Sequence, residues 1–161
     1  MSAPEFVLAL RRAVGTAPLW LSGVTAVVTK GDDVLMVRRS DTGAWTPVTG
    51  IIDPGEHPAD AAVREVLEEA DVTAEPVRLA VVGVTDLVVY GNGDQASYLD
   101  HTFALRWVSG EPFPADGENT EARWFARDAL PEMTAEMRAR VEAGLSDEAA
   151  ARFTAGGEQR S

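Results

Sequence analysis

Cysteine is absent from the 161 residues of this chain, which excludes disulfides, thiolate metal sites and a cysteine nucleophile together. The absence fits a reducing compartment such as the cytoplasm. Basic residues are scarce: 14 Lys and Arg stand against 26 Asp and Glu, for a net charge of −12. Polymeric nucleic acid and anionic membrane both reward clustered Lys and Arg, so neither is an expected partner. A small phosphorylated ligand stays admissible, because metal ions can neutralise the contact. No apolar run approaches the roughly 20 residues of a membrane helix, and Met1-Ser2-Ala3-Pro4-Glu5 lacks the basic start of a secretion signal. The expectation is a soluble, cytoplasmic protein. What is present, 45% hydrophobic and 25% charged residues, is ordinary for a globular domain, and the length suits one such domain.

Hydrophobic periodicity places the elements. Residues 4–14 read as a short amphipathic helix, with Phe6, Leu10, Ala13 and Val14 near helical spacing. Residues 1–18 would carry this helix, packed either on a main domain over 19–145 or on a second subunit in a homodimer; both placements are open. Residues 146–161 would form a C-terminal tail, disordered from about Ala155. Residues 24–29 and 34–38 read as strands joined by the turn Lys30-Gly31-Asp32-Asp33, and 44–52 as an extended stretch. After the turn Asp53-Pro54-Gly55, residues 58–70 form the best helix, with no glycine and no internal proline. Residues 79–90 and 98–108 are strand-like, the latter placing Leu99, His101, Phe103, Leu105 and Trp107 on one face. Residues 91–96 and 109–120 are loops, 123–126 a short strand and 128–143 a closing helix. Strands around one central helix, followed by another helix, predict an α/β (α+β) sandwich with a mixed sheet.

On a helical wheel at about 100° per residue, Ala59, Val63, Val66, Leu67 and Ala70 form one arc, expected to face the core. Glu65, Glu68 and Glu69 form another on roughly the opposite side, spaced i, i+3, i+4 and therefore neighbours on the helix surface. Like charges so placed cost roughly a few tenths of a kcal/mol per pair unless a cation sits among them. Carboxylate oxygens suit hard Mg²⁺ or Mn²⁺. Taken alone, the three glutamates are equally a solvated acidic face.

The wider segment 50–72, GIIDPGEHPADAAVREVLEEADV, resembles the signature box of the Nudix hydrolases, the MutT-like family. That box reads Gly, five residues, Glu, seven residues, Arg-Glu, an aliphatic, any residue, Glu-Glu, any residue, Gly, an aliphatic. Gly50, Glu56, Arg64, Glu65, Val66, Glu68, Glu69 and Val72 fall in register; Asp71 replaces the second glycine. Asp visits the left-handed backbone region at modest cost, so it can stand there. The approach Trp45-Thr46-Pro47-Val48-Thr49-Gly50, the strand ending in Arg38 and Arg39, and residues 118–125 also look like family elements. The resemblance spans about residues 23–130.

What the resemblance implies is a Nudix-type α/β/α sandwich with its loop-helix, and Mg²⁺-dependent hydrolysis of a pyrophosphate bond. The substrate would be a small nucleoside diphosphate-X: a (modified) nucleoside triphosphate, a nucleotide sugar or ADP-ribose. Glu65, Glu68 and Glu69 would hold Mg²⁺, with Mn²⁺ as a substitute. The Thr49 carbonyl and Glu118 would join them, Glu118 doubling as candidate base with Glu121 as second choice. Arg64 would orient Glu65 by a charge-assisted bond, and Glu56 would pair with Arg64 at the loop–helix junction. Arg38, Arg39, Gly50 and Glu56 are the substrate-side candidates. Arg38 and Arg39 alternate along a strand, so at most one faces the site.

The other candidates carry a structural reading beside the functional one. His57 suits a surface residue at the helix start, and His101 a packed or bonded strand residue. Trp20, Trp45, Trp107 and Trp124 are core residues by default. One of Trp45, Tyr90 or Tyr98 could stack on a base. A binding or regulatory module that kept the fold and lost turnover is the rival to an enzyme, and the full set Arg64, Glu65, Glu68 and Glu69 argues against it.

Overall fold

The computed structural model describes residues 3–155. In chain order the elements are α1 (Glu5–Val14), β1 (Leu19–Lys30), β2 (Asp33–Arg39), β3 (Trp45–Thr46), β4 (Val48–Ile51), α2 (Pro58–Ala70), β5 (Thr73–Val84), β6 (Val88–Val89), β7 (Gln95–Ser109), β8 (Asn119–Ala126) and α3 (Ala135–Leu145). All strands join one mixed sheet, ordered β3-β2-β1-β7-β5, with β4 on β1, β6 on β7 and β8 on β2. β1 runs parallel to β7 and antiparallel to β2 and β4.

Helices cover both faces of β1, which explains its near-continuous apolar run. Side chains alternate across a strand. Val24, Ala26 and Val28 therefore pack with Leu35, Val37, Val48 and Leu105 beneath α2. Val27 joins Val34, Met36 and the α3 residue Val141 on the opposite face. The expected sandwich is the one observed. α1 rests on the domain, with Val7 against Leu21 and Ala96, and Arg11 donates to the carbonyls of Ala17 and Gln95, both at 2.6 Å.

Several boundaries differ from expectation. β1 starts at Leu19, and β5 starts at Thr73 although it contains Pro76. Proline is tolerated there because β5 is the sheet edge and its register shifts between Pro76 and Arg78. β7 takes in Gln95 and Ala96, read from sequence as loop. The closing helix begins at Ala135 rather than near 128, where the Thr134 hydroxyl caps it by accepting from the Met137 N–H at 3.2 Å. Trp20 is 61% exposed at the start of β1, outside the three apolar clusters, against its expected place in the core. Beyond α3, Arg152 returns to the sheet edge, exchanging backbone bonds with Ala80 and Val82 at 2.8 and 3.1 Å. The tail's expected disorder concerns mainly residues 156–161, which lie outside the described residues.

α2 keeps its predicted bounds but not its predicted face. The buried residues are Ala61, Ala62, Glu65, Val66, Glu69 and Ala70, while Leu67 is 50% exposed. The interior arc is thus turned by roughly a quarter of the wheel towards the glutamates. Hydrophobic periodicity could not locate it, because two charged residues belong to the inside. Asp71 ends the helix in the left-handed conformation, φ 54° and ψ 32°, its N–H bonded to the Leu67 carbonyl at 3.1 Å. Asp71→Gly should accordingly raise stability by about 0.5–1 kcal/mol in urea unfolding, and Asp71→Val should lower it by about 1 kcal/mol.

Candidate active site

Arg64 organises the start of the site. Its Nε and Nη2 donate to the two oxygens of Glu56 at 2.8 and 2.9 Å, and Nη2 also reaches the Ile51 carbonyl at 3.1 Å. Nη1 donates to Glu65 at 2.8 Å and to Glu68, one turn on, at 3.2 Å. The planar fork suits this many acceptors, and charge on both sides strengthens each bond. Glu56 also accepts from the Asp53 N–H at 3.0 Å, which closes the turn before α2. The Arg64 bond holds the Glu56 carboxyl below the usual range.

Glu65 and Glu69 lie inside the protein, 5% and 1% exposed. Burial pushes Glu65 up to about 7, against the pull of Arg64, with Glu68 and Glu118 adding repulsion. Burial pushes Glu69 up to about 8, opposed by a hydrogen bond from Asn119, with Glu118, Glu65 and Asp116 repelling it. Gly50 makes this packing feasible: a Cβ there would stand 2.1 Å from the Glu65 Cδ. A buried carboxylate pair with an oxygen-only donor set is the chemistry a hard divalent cation relieves, and Glu69 Oε1 has no partner. Among the described residues no three acidic or histidine side chains yet converge at chelating distance. Glu65 and Glu68 each turn an oxygen to Arg64.

A cleft of about 670 Å³ opens beside this cluster, its near end lined by Thr49, Gly50, Glu65, Arg39 and Glu118. The volume is in the range of small-molecule sites, roughly 300–1,000 Å³. Leu87, Val88, Val89 and Tyr90 line it further on, with Tyr98, whose hydroxyl bonds that of Tyr90. Arg39 and Arg140 both line the cleft; Arg39 is bidentate to Asp41 at 3.0 Å and feels the charges of Glu69 and Glu118. Arg38, expected on the substrate side, is not: it is half exposed, pairs with Glu121 at 3.0 Å and lines no part of the cleft. Alternation along β2, with a register shift between Arg38 and Arg39, separates the two. Glu121, the second choice to Glu118, pairs with Arg38 and Arg123 and is not among the residues lining the cleft.

His57 is exposed before α2 and caps nothing with its side chain, and His101 places Nδ1 3.2 Å from the Gly23 carbonyl. Trp45 packs edge-on to Phe125 at 4.9 Å, leaving Tyr90 and Tyr98 as the aromatic residues of the cleft among the three weighed for stacking. Sequence reasoning missed Asn119, Asp100 and Arg140. Asp100, 6% exposed, accepts from the hydroxyls of Thr25 and Thr102 at 2.9 and 2.8 Å, and Arg140 donates to the Thr25 hydroxyl at 3.1 Å; Asp100 and Arg140 line the cleft. No local pattern announces residues brought together from β1, β7 and α3.

The NUDIX domain family model matches residues 20–148. The chain belongs to the Nudix hydrolase family. This Nudix chain is 32% identical over 134 residues to the NAD-capped RNA hydrolase NudC of Pseudomonas syringae pv. syringae (strain B728a), covering 78% of this chain and 44% of that one. It is 36% identical over 106 residues to the 8-oxo-dGDP phosphatase NUDT18 of Mus musculus, covering 62% and 30%. A solved ADP-ribose pyrophosphatase from Streptococcus suis 89-1591 aligns at 27% identity with a TM-score of 0.61, covering 83% of this chain and 98% of that one. The Nudix chain spans less than half the length of the curated relatives it matches. Among the described residues no helix is long and apolar enough to cross a membrane.

Proposed function

We propose that this Nudix chain is a Mg²⁺-dependent pyrophosphohydrolase that cuts the phosphoanhydride bond of a nucleoside diphosphate-X. The observation that carries this reading is the burial of Glu65 and Glu69 against Gly50 and Asn119 beside a cleft of nucleotide size. Glu65, Glu68, Glu69, Glu118 and the Thr49 carbonyl would hold Mg²⁺, with Mn²⁺ as substitute. The bound ion supplies charge neutralisation at the phosphates and an acidified water. Arg64 keeps Glu65 and Glu68 in place through bonds that leave the substrate untouched. Arg39 can turn from Asp41 to a phosphate oxygen by a charge-assisted bond. Glu118, at the cleft, is the residue to accept the proton of the attacking water. Leu87, Val88, Val89, Tyr90 and Tyr98 offer an apolar and aromatic wall to the nucleoside.

The relatives are named for NAD-capped RNA, 8-oxo-dGDP and ADP-ribose, which supports a nucleotide-linked diphosphate as the substrate class. A net charge of −12 opposes holding an RNA body. NADH should therefore be cut at least as fast as an NAD-capped transcript. The test incubates the protein and MgCl₂ with NADH, ADP-ribose, a UDP-sugar, modified dNTPs and NAD-capped RNA, and measures release of phosphate or phosphomonoester. Hydrolysis of at least one small diphosphate, stopped by EDTA and restored by Mn²⁺, is expected. No cation-dependent release from any of them would overturn the reading in favour of a binding module. On a substrate so found, Glu68→Gln should lower turnover by at least about tenfold with an unchanged melt. An undiminished rate at saturating Mg²⁺ would refute the ligand role.

A further inference from the structure

Residues 110–118 are fastened across the end of α2. The Phe113 N–H donates to the Ala70 carbonyl at 2.9 Å and the Ala115 N–H to that of Glu69 at 3.2 Å. These are carbonyls that a helix C-terminus leaves without partners. Gly110 permits the close approach, with φ +91° and the position of a Cβ only 2.5 Å from the Asp71 carbonyl oxygen. At the other end, the Ser40 N–H and hydroxyl both donate to the Glu118 carbonyl, at 2.9 and 2.7 Å. The strap so fixed delivers Asn119, the first residue of β8, to Glu69.

Both side chains are buried, Asn119 to 5% and Glu69 to 1% exposure. Asn119 Nδ2 donates to Glu69 Oε2 at 2.9 Å. The amide presents its NH₂ to Glu69, and its own Oδ1, like Glu69 Oε1, is buried without a hydrogen-bond partner. One oxygen of Glu69 is thereby spent, while Oε1 stays buried without a partner. Buried polar atoms are nearly always bonded, so an orphan at this place calls for an explanation. An ion accepted at Oε1 supplies one.

We infer that Asn119 is a positioning residue for cation binding: it clamps Glu69 Oε2 so that Oε1 is presented to the divalent ion. The inference rests on the metal role proposed for Glu69. It adds to the box a residue 50 positions downstream of Glu69. Asn119 acts through Glu69 and needs no contact with substrate.

The test uses Mn²⁺ alone, titrated into the full chain and followed by the electron paramagnetic resonance signal of the free ion. Asn119→Ala should weaken Mn²⁺ binding by about 10–100-fold, the usual effect of losing a partner that orients a metal ligand. Asn119→Leu, which keeps the branched shape and removes the donor, should do the same in a protein that still melts cooperatively. In a Glu69→Gln background, Asn119→Ala should add less than about twofold, since its effect passes through Glu69. A merely structural role would instead make the two losses additive. Additive losses, or a folded Asn119→Leu protein binding Mn²⁺ within about twofold of wild type, would overturn the inference and leave the function standing. Wild-type protein that binds no Mn²⁺ would overturn both.

Discussion

Gly50→Ala is expected to lower kcat by about 100-fold in a protein that remains folded. The added methyl would occupy space 2.1 Å from Glu65 Cδ and 2.3 Å from its Cγ, far inside contact distance. Glu65 cannot swing aside freely, because Arg64 Nη1 holds its Oε1 at 2.8 Å and the side chain is buried. Either Glu65 is displaced, or β4 moves away from α2 and carries the Thr49 carbonyl with it. Both outcomes shift a proposed metal ligand by a distance that matters: misplacement of about 1 Å can cost about two orders of magnitude in rate. Overpacking of this kind also destabilises by roughly 1–3 kcal/mol, which a domain of this size can survive. Steady-state kinetics on the substrate found by the panel, with a thermal melt alongside, decide the matter. A rate within about threefold of wild type would mean that Glu65 has slack and that its placement does not limit turnover.

Arg64→Ala should act on stability and rate together. One guanidinium serves Glu56, Glu65, Glu68 and the Ile51 carbonyl, at 2.8–3.2 Å. Removing it leaves Glu65 buried beside Glu68 and Glu118 with no cation among its bonds. Breaking a fully buried pair from one side costs roughly 3–5 kcal/mol. Arg64 keeps some solvent contact, so a loss of about 2–3 kcal/mol is expected from the urea midpoint. Turnover should drop at least about 100-fold as the box glutamates lose their frame. Arg64→Lys should recover little, since a point charge on a flexible stem cannot span Glu56 and Glu65 as a planar fork does. Full recovery by lysine would show that net charge alone is needed there.

Much of this architecture was legible before any coordinates. α2 begins and ends where Pro58 and the left-handed Asp71 said it would, because its stop signals are local. The β1–β2 hairpin fell at the expected turn for the same reason. Errors gathered where tertiary contacts overrule local pattern. The strand expected from residue 79 begins at Thr73 and runs through Pro76, which an edge position with a register shift accommodates. The apolar arc of α2 pointed to Leu67, which is exposed, because the hydrophobic count had no means of placing Glu65 and Glu69 indoors. Trp20 illustrates the converse: a large apolar residue left 61% exposed at the start of β1.

For the site, the sequence by itself placed a Gly, an Arg and four Glu within residues 50–69, a stretch that runs through β4, one turn and α2. Neighbours along that stretch are neighbours in space, so no long-range information was required. Only the tertiary structure decided that Arg39 rather than Arg38 enters the cleft, that Glu121 is drawn off by Arg38, and that Glu69 meets Asn119. Those choices depend on strand register, on a bulge in β2 and on how far α2 is rolled on the sheet. They are set by the packing of segments far apart in the chain, and the periodicity of any one segment carries no record of its partner.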